Sequence, residues 1–326
     1  MREFNPPKLL RNPHLMTIAS TFWPRKFPRL GASVRREFEV EPGSRILAKC
    51  HWQVEPKLRP TLVLLHGLEG SSESGYMLGA ADKAFRAGFN VLRVNQRNCG
   101  GTANLTPTLY NSGLSGDMRA LISELIESDG LPEVFAAGSS MGGNIMLKMA
   151  GEFGDAPPPQ LKGVVGICPA IDLAACADDL AEFRNVIYSR HFVNSLKRSM
   201  KLKAAMYPGM YSLDGLNRVR TVRQFDDVIT ARYCGFRDAE DYYDRASALR
   251  VIARIRVPTL IMTSQDDPFV PFKTFGNGSF PANPNVIVIA PKHGGHCAFI
   301  SREPGEERFW AEARLVEFCK SKSALL

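Results

Sequence analysis

The segment Gly138-Ser139-Ser140-Met141-Gly142 sets a serine between two glycines, directly after the apolar VFAA and directly before the helical pattern NIMLKMAGE. A serine on a sharp strand-to-helix turn is presented for attack, glycines are required where a Cβ would clash, and the helix N-terminus faces developing negative charge. Taken alone, the five residues could also be a plain turn rich in small side chains. A hydroxyl is a poor nucleophile near pH 7 without a base, so a carboxylate and then a histidine are expected further along the chain. Both occur. TSQDDPFVP places Asp266 and Asp267 just after TLIM, and PKHGGHCAF places His293 and His296 just after VIVIA. His296, behind two glycines that let its loop reach back, is the expected base, and His293 is expected to be a surface residue. Asp267 is the expected partner of the imidazole, with Asp266 bonding loop N–H groups. An Asp before Pro is also a common turn former, so the two aspartates remain rivals at this stage.

An acyl-transfer serine also needs two N–H donors for the oxyanion, one from the residue after the nucleophile and one from the loop after an earlier strand. Met141 supplies the first. His66-Gly67-Leu68-Glu69-Gly70 follows TLVLL and supplies the second, from Leu68, while His66 orders that loop. This chemistry is ester cleavage through an acyl-serine, with no cofactor. No G-x-G-x-x-G or GK[ST] phosphate cradle is present, and HGGH lacks a third clustered ligand, so no metal is expected.

These residues must be carried by a scaffold, and the apolar runs describe one. TLVLL (61–65), FNVLRV (89–94), VFAA (134–137), GVVGI (163–167), TLIM (259–262) and VIVIA (286–290) are continuous rather than alternating, the pattern of strands buried on both faces. Helical stretches such as YMLGAADKAFRAG and GDMRALISELIESDG lie between the early ones, predicting a mostly parallel sheet. RREFEV and SRILAKCHW, joined by EPGS, predict an antiparallel start. The rhythm breaks over 172–248, too long for a loop, and predicts a helical cap over the strands' carboxyl ends. The core is then 1–171 with 249–326, including an N-terminal extension over 1–34.

With 326 residues, 44% hydrophobic and 23% charged, the chain can bury a large core. It shows neither a spanning apolar run nor a signal-peptide h-region, so the cytoplasm is the expected compartment. Seven scattered cysteines suggest neither zinc nor disulfides, but small apolar side chains. The net charge of +8 is regional: residues 1–36 carry eight Lys or Arg against Glu3, and 184–223 carry nine against Asp214. No nucleic-acid motif accompanies these patches. Basic and apolar residues alternate in the second patch, including Lys197, Arg198, Lys201 and Lys203, with Phe22, Trp23 and Phe27 beside Arg25, Lys26 and Arg29 in the first. Peripheral contact with a membrane face and a merely solvated surface are both compatible with that mixture.

The segments FNPPKLLRNPHLMT, LLHGLEGSS, VNQRNCGGT, AAGSSMGGN, FDDVITARYCGFRDAEDYYDRAS, SQDDPFVP and HGGHCAF together resemble the YheT-type hydrolases of the α/β-hydrolase superfamily, over nearly the whole chain. The resemblance implies an α/β-hydrolase fold: a mostly parallel sheet of about eight strands flanked by helices, with a helical cap inserted after the sixth. It implies a cofactor-free carboxylic ester hydrolase in which Ser140, Asp267 and His296 match the triad. Serine at position 140 argues against epoxide hydrolases and haloalkane dehalogenases, whose nucleophile on this fold is Asp. Short to medium acyl chains are expected; the same triad would also serve acylglycerol or phospholipid hydrolysis, or acyl transfer. The sequence departs from the family pattern at Met16, where Gln is expected, at Asn98, where Gly usually follows Arg, and at Cys297-Ala298.

Overall fold

A computed structural model describes residues 3–28, 30–276, 280–302 and 308–326. Eight strands form one sheet in the order β1-β2-β4-β3-β5-β6-β7-β8. β1 (Val34–Glu41) and β2 (Ser44–His51) pair antiparallel, and β2 also meets β4 (Asn90–Val94) antiparallel. β3 (Thr61–Leu65), β4, β5 (Val134–Ser139), β6 (Leu161–Ile167), β7 (Thr259–Met262) and β8 (Val286–Ile289) run parallel, so their carboxyl ends share one edge. The chain leaves β3 for β4 on one side and returns to β5 on the other. That reversal opens the crevice where open α/β sheets bind ligands.

Alternate residues of β3 explain why its run is apolar throughout. Val63 and Leu65 enter a core shared with α3 (Ser115–Glu127) and α4 (Met141–Phe153). Leu62 and Leu64 enter a second core with α2 (Gly75–Arg86) and α10 (Trp310–Lys322) on the opposite face. α1 (Pro13–Phe22), capped by the Asn12 side chain on the His14 and Leu15 N–H groups, lays Met16 into that second core.

β8 departs from expectation. Its run is as apolar as the others, yet none of its four residues is fully buried and Ile287 is 48% exposed. It pairs only with β7 and stands at the sheet's edge, so an apolar run does not by itself place a strand inside.

Between β6 and β7 the structure contains only helical elements. They are α5 (Leu173–Ala181), α6 (Val186–Met206), α7 (Val222–Phe225), a π-helical turn (Asp226–Ala231), α8 (Arg232–Cys234), α9 (Ala239–Ala246) and short 3-10 turns. Val193, Leu196, Met200, Leu216, Val219, Phe225 and Ile229 form the insertion's own small core. Asn144 of α4, wholly buried, joins the insertion's exit to the sheet. Its amide donates to Ser112 O at 3.1 Å and Ala246 O at 2.9 Å, and its carbonyl accepts the Ala248 N–H at 2.8 Å.

Candidate active site

β5 ends in Ser139, and Ser140 adopts φ 54°, ψ −123° before α4 begins. A non-glycine residue in such a conformation costs about 1–3 kcal/mol, so the surroundings must impose it. They do so through main-chain bonds, with the Ser140 N–H donating to Ile167 O at 2.8 Å and its carbonyl accepting the Asn144 N–H at 3.1 Å. The flanking glycines are explained by the same crowding. A Cβ at Gly138 would run into the Gly142 carbonyl, and one at Gly142 into the His66 carbonyl.

The two aspartates beyond β7 have separate partners. Asp267, buried, lies 2.8 Å (Oδ2) and 3.1 Å (Oδ1) from His296 Nδ1, and its Oδ1 accepts the N–H groups of Phe269 and Val270 at 2.9 and 3.0 Å. An ionised carboxylate only accepts, so Nδ1 carries a proton, and Nε2 is the nitrogen with the lone pair whenever the imidazole is neutral. Asp266 instead accepts the Gly295 N–H at 3.0 Å and stands 3.2 Å from His293 Nδ1. His293 is thus half-buried and bonded, not a free surface residue. Burial pulls the His296 imidazole down, but the Asp267 charge, with Cys297 beside it, prevails and holds it well above the ordinary histidine value.

Ser140 Oγ makes no hydrogen bond among the described residues, to His296 or to any other group. The two are linked through Phe269, whose ring centroid is 4.6 Å from that of His296 and which lines the same cavity as Ser140. Unliganded sites commonly leave this bond open and close it on substrate.

Leu68 and Met141 both line that cavity, and neither N–H is engaged by another group of the described residues. The loop holding Leu68 is rigidly supported. His66 accepts the Gln96 N–H at Nε2 (3.1 Å) and donates from Nδ1 to Gly67 O (2.7 Å), while Tyr76 Oη accepts the Gly67 N–H at 2.9 Å. Burial lowers His66 to about 4, so it stays neutral in this bonding role. A Cβ at Gly67 would stand 3.0 Å from Ser140 Cβ, which is how close this loop passes Ser140.

The cavity, about 140 Å³, is mainly apolar, with Leu173, Ala177, Leu180, Phe192, Leu196, Met200 and Phe225 from the insertion facing Ser140, Val270 and Phe269 from the sheet edge. Three charged groups in its wall escaped the sequence reading. Glu69, at φ 54°, accepts Tyr110 Oη at 2.5 Å and Ser199 Oγ at 2.7 Å, tying the Leu68 loop to α6. Asp226 accepts Tyr243 Oη and Thr230 Oγ1 at 2.7 and 2.6 Å, and burial raises it to about 6. Lys203, grouped by sequence with the basic surface, is buried and donates to Asn98 Oδ1 (2.7 Å), Ala103 O (2.8 Å) and Thr106 O. Burial lowers it to about 8, and it cannot meet a lipid head group. Its partner Asn98 has φ 68°, which explains the usual glycine there, since Asn tolerates the left-handed region better than other side chains.

The remaining sequence departures gather under the histidine loop. Met16 Sδ accepts the Ile300 N–H at 3.4 Å. Cys297, at φ 55°, donates its N–H to Cys168 Sγ at 3.3 Å and its thiol to Ile167 O at 3.5 Å. Burial pushes the Cys297 thiol up, but the Cys168 hydrogen bond and the His296 charge bring it down to about 6. Sequence spacing offered no third ligand near HGGH; the fold brings Cys168, 129 residues earlier, to the end of β6 beside it.

A family profile described as alpha/beta hydrolase fold matches residues 60–303. The candidate esterase YheT of Escherichia coli (strain K12) is 32% identical over 97% of this chain and 92% of its own length. A Dictyostelium discoideum abhydrolase domain-containing protein is 30% identical over 97% and 80%. Mouse phospholipase ABHD3 is 28% identical over 76% of this chain and 60% of its own. Among solved structures, the Pyrococcus furiosus esterase Pf2001 superposes with a TM-score of 0.59 at 17% identity, covering 99% of this chain and 98% of that one.

Proposed function

The chain belongs to the α/β-hydrolase fold family, in its YheT-type branch, and we propose that it is a carboxylic ester hydrolase using Ser140, His296 and Asp267. What supports this most is Ser140 itself, held in a strained turn at the base of an apolar cavity, with the unengaged N–H groups of Leu68 and Met141 lining the same space. Ser140 Oγ attacks the ester carbonyl as its proton passes to His296 Nε2, and the carbonyl oxygen takes its charge to the two N–H groups. The imidazolium, stabilised by Asp267, protonates the departing alcohol. Water activated by the same imidazole then frees the acyl-serine. A cavity near 140 Å³ is close to the ~150 Å³ that accommodates a benzene, so short to medium acyl chains fit best. The test is a fluorophosphonate probe with p-nitrophenyl esters of increasing length. Labelling confined to Ser140 and lost in Ser140→Ala is expected; an unlabelled Ser140 in active protein overturns the mechanism.

A lipid ester substrate, cleaved by water or transferred to an alcohol, is the second reading, favoured by one surface. α1 exposes Leu15, Ile18 and Phe22 at helical spacing, and Phe183 and Ile187 beside the start of α6 are exposed as well. The two segments touch where His14 stacks on Tyr188, centroids 5.7 Å apart. Lys8, Arg11, Arg184 and Arg190 lie in the same segments and are exposed. Among the relatives, a Saccharomyces cerevisiae protein named monoacylglycerol lipase is 28% identical. Exposed charges act over a Debye length of ~8 Å at physiological salt, so binding to anionic vesicles should weaken as salt rises. It should also fall with Phe22→Ser and Phe183→Ser. Equal binding to neutral and anionic vesicles, or none, removes this reading.

A further inference from the structure

We propose that Cys168, Cys297 and His296 form a binding site for a soft divalent metal ion such as Zn²⁺, occupation of which switches the hydrolase off. One sulfur from each cysteine and one ring nitrogen of His296 all lie within 4.8 Å of one another. A tetrahedral zinc with Zn–S ~2.3 Å and Zn–N ~2.0 Å sets its donors ~3.8 Å (S to S) and ~3.5 Å (S to N) apart. The sulfurs therefore need to close by at most ~1.0 Å, and each sulfur and the nitrogen by at most ~1.3 Å.

The surrounding bonds also suit a metal. His296 has Asp267 behind Nδ1 at 2.8 Å, the carboxylate–histidine arrangement that orients an imidazole for coordination through its other nitrogen. The Cys297 N–H already donates to Cys168 Sγ at 3.3 Å, a bond that strengthens to a thiolate. On binding, both thiol protons leave to solvent, and two thiolates with a neutral imidazole neutralise the dication while a fourth position stays open. Coordination occupies the lone pair that would accept the serine proton. The loss of activity therefore rests on the reading of His296 as base, whereas binding itself does not.

The experiment uses reduced, metal-free, full-length protein titrated with Co²⁺ as a spectroscopic probe and then with Zn²⁺. Tetrahedral d–d bands with thiolate-to-cobalt charge transfer, saturating at one equivalent and displaced by Zn²⁺, are expected. Cys168→Ala and Cys297→Ala should each weaken Zn²⁺ binding at least ~100-fold, whereas Cys50→Ala should not. Should a variant fail to fold, wild-type protein still decides: Zn²⁺ should shield Cys297, and not Cys176 or Cys234, from iodoacetamide. Absence of the thiolate band at one equivalent, binding unchanged in Cys168→Ala, or an unshielded Cys297 overturns the site. Binding without loss of esterase activity would keep the site and remove its effect on the base.

Discussion

At the carboxyl edge of the sheet the side chains proposed to react are held by main-chain groups. Ile167 O fixes Ser140, the N–H groups of Phe269 and Val270 fix Asp267, and the Gly67 carbonyl and Gln96 N–H fix the His66 ring that supports the Leu68 loop. The helical insertion opposite is held by side chains: Ser199 on Glu69, Lys203 on Asn98, Tyr243 on Asp226. Its own core has seven buried residues, whereas the sheet is covered on both faces. Geometry imposed by the main chain survives most substitutions nearby, as a reaction requires. A wall fixed by side chains can be reshaped one residue at a time, as a choice of substrate requires.

Three measurements would break or sharpen that contrast. The largest effect is expected at the sheet edge: Asp267→Asn should lower kcat on a p-nitrophenyl ester by ~10⁴ through the wrong imidazole tautomer, and Ser140→Ala by up to ~10⁶. Asp266→Asn, which disturbs only His293 and the Gly295 N–H, should cost far less; the reverse ranking would reassign the acid. In the insertion, Ala177→Phe should shorten the longest chain accepted, lowering kcat/KM for that ester by ~10 to 200-fold while sparing the acetyl ester. A uniform loss across all chain lengths would mean that the insertion supports the reaction itself.

The smallest effect is a displacement along the pH axis. In the proposed role His296 must be neutral to accept the serine proton, and Asp267 with Cys297 holds it above its ordinary value. Protonated, inactive enzyme then persists to higher pH, and the acid limb of kcat/KM should lie above ~6.5. Cys297→Ala should move it down; a limb at or below ~6.5 in the parent protein contradicts the electrostatic account.

The strands most legible in the sequence are those whose apolar runs end at chemistry. TLVLL and TLIM coincide with β3 and β7 because both faces of each are covered. The elbow was legible because it adjoins such a strand, β5, whereas the His296 loop follows β8 and was marked only by its residue types and chain order. β8 shows where the rule fails: apolar character records tolerance of burial, whereas edge position depends on strand order. Lys203 failed differently, since three acceptors from the 98–106 loop exist only once α6 lies across it. Cys168 beside Cys297 was illegible for the same reason, being a contact made by sheet order alone.

Asn144 gives the chain a timetable. Its amide closes on Ala246 and Ala248, more than a hundred residues away, with Ser112 as its third partner. A contact of that span is expensive in loop entropy until both ends are already compact. The β5–α4 hairpin of chain can assemble with its neighbours β3 and β6 first, whereas the insertion's exit docks last, onto an amide already set in place. Replacing Asn144 should therefore slow the late docking step more than the early collapse of the sheet, and chains caught in that interval would carry a formed elbow with no cavity wall above it.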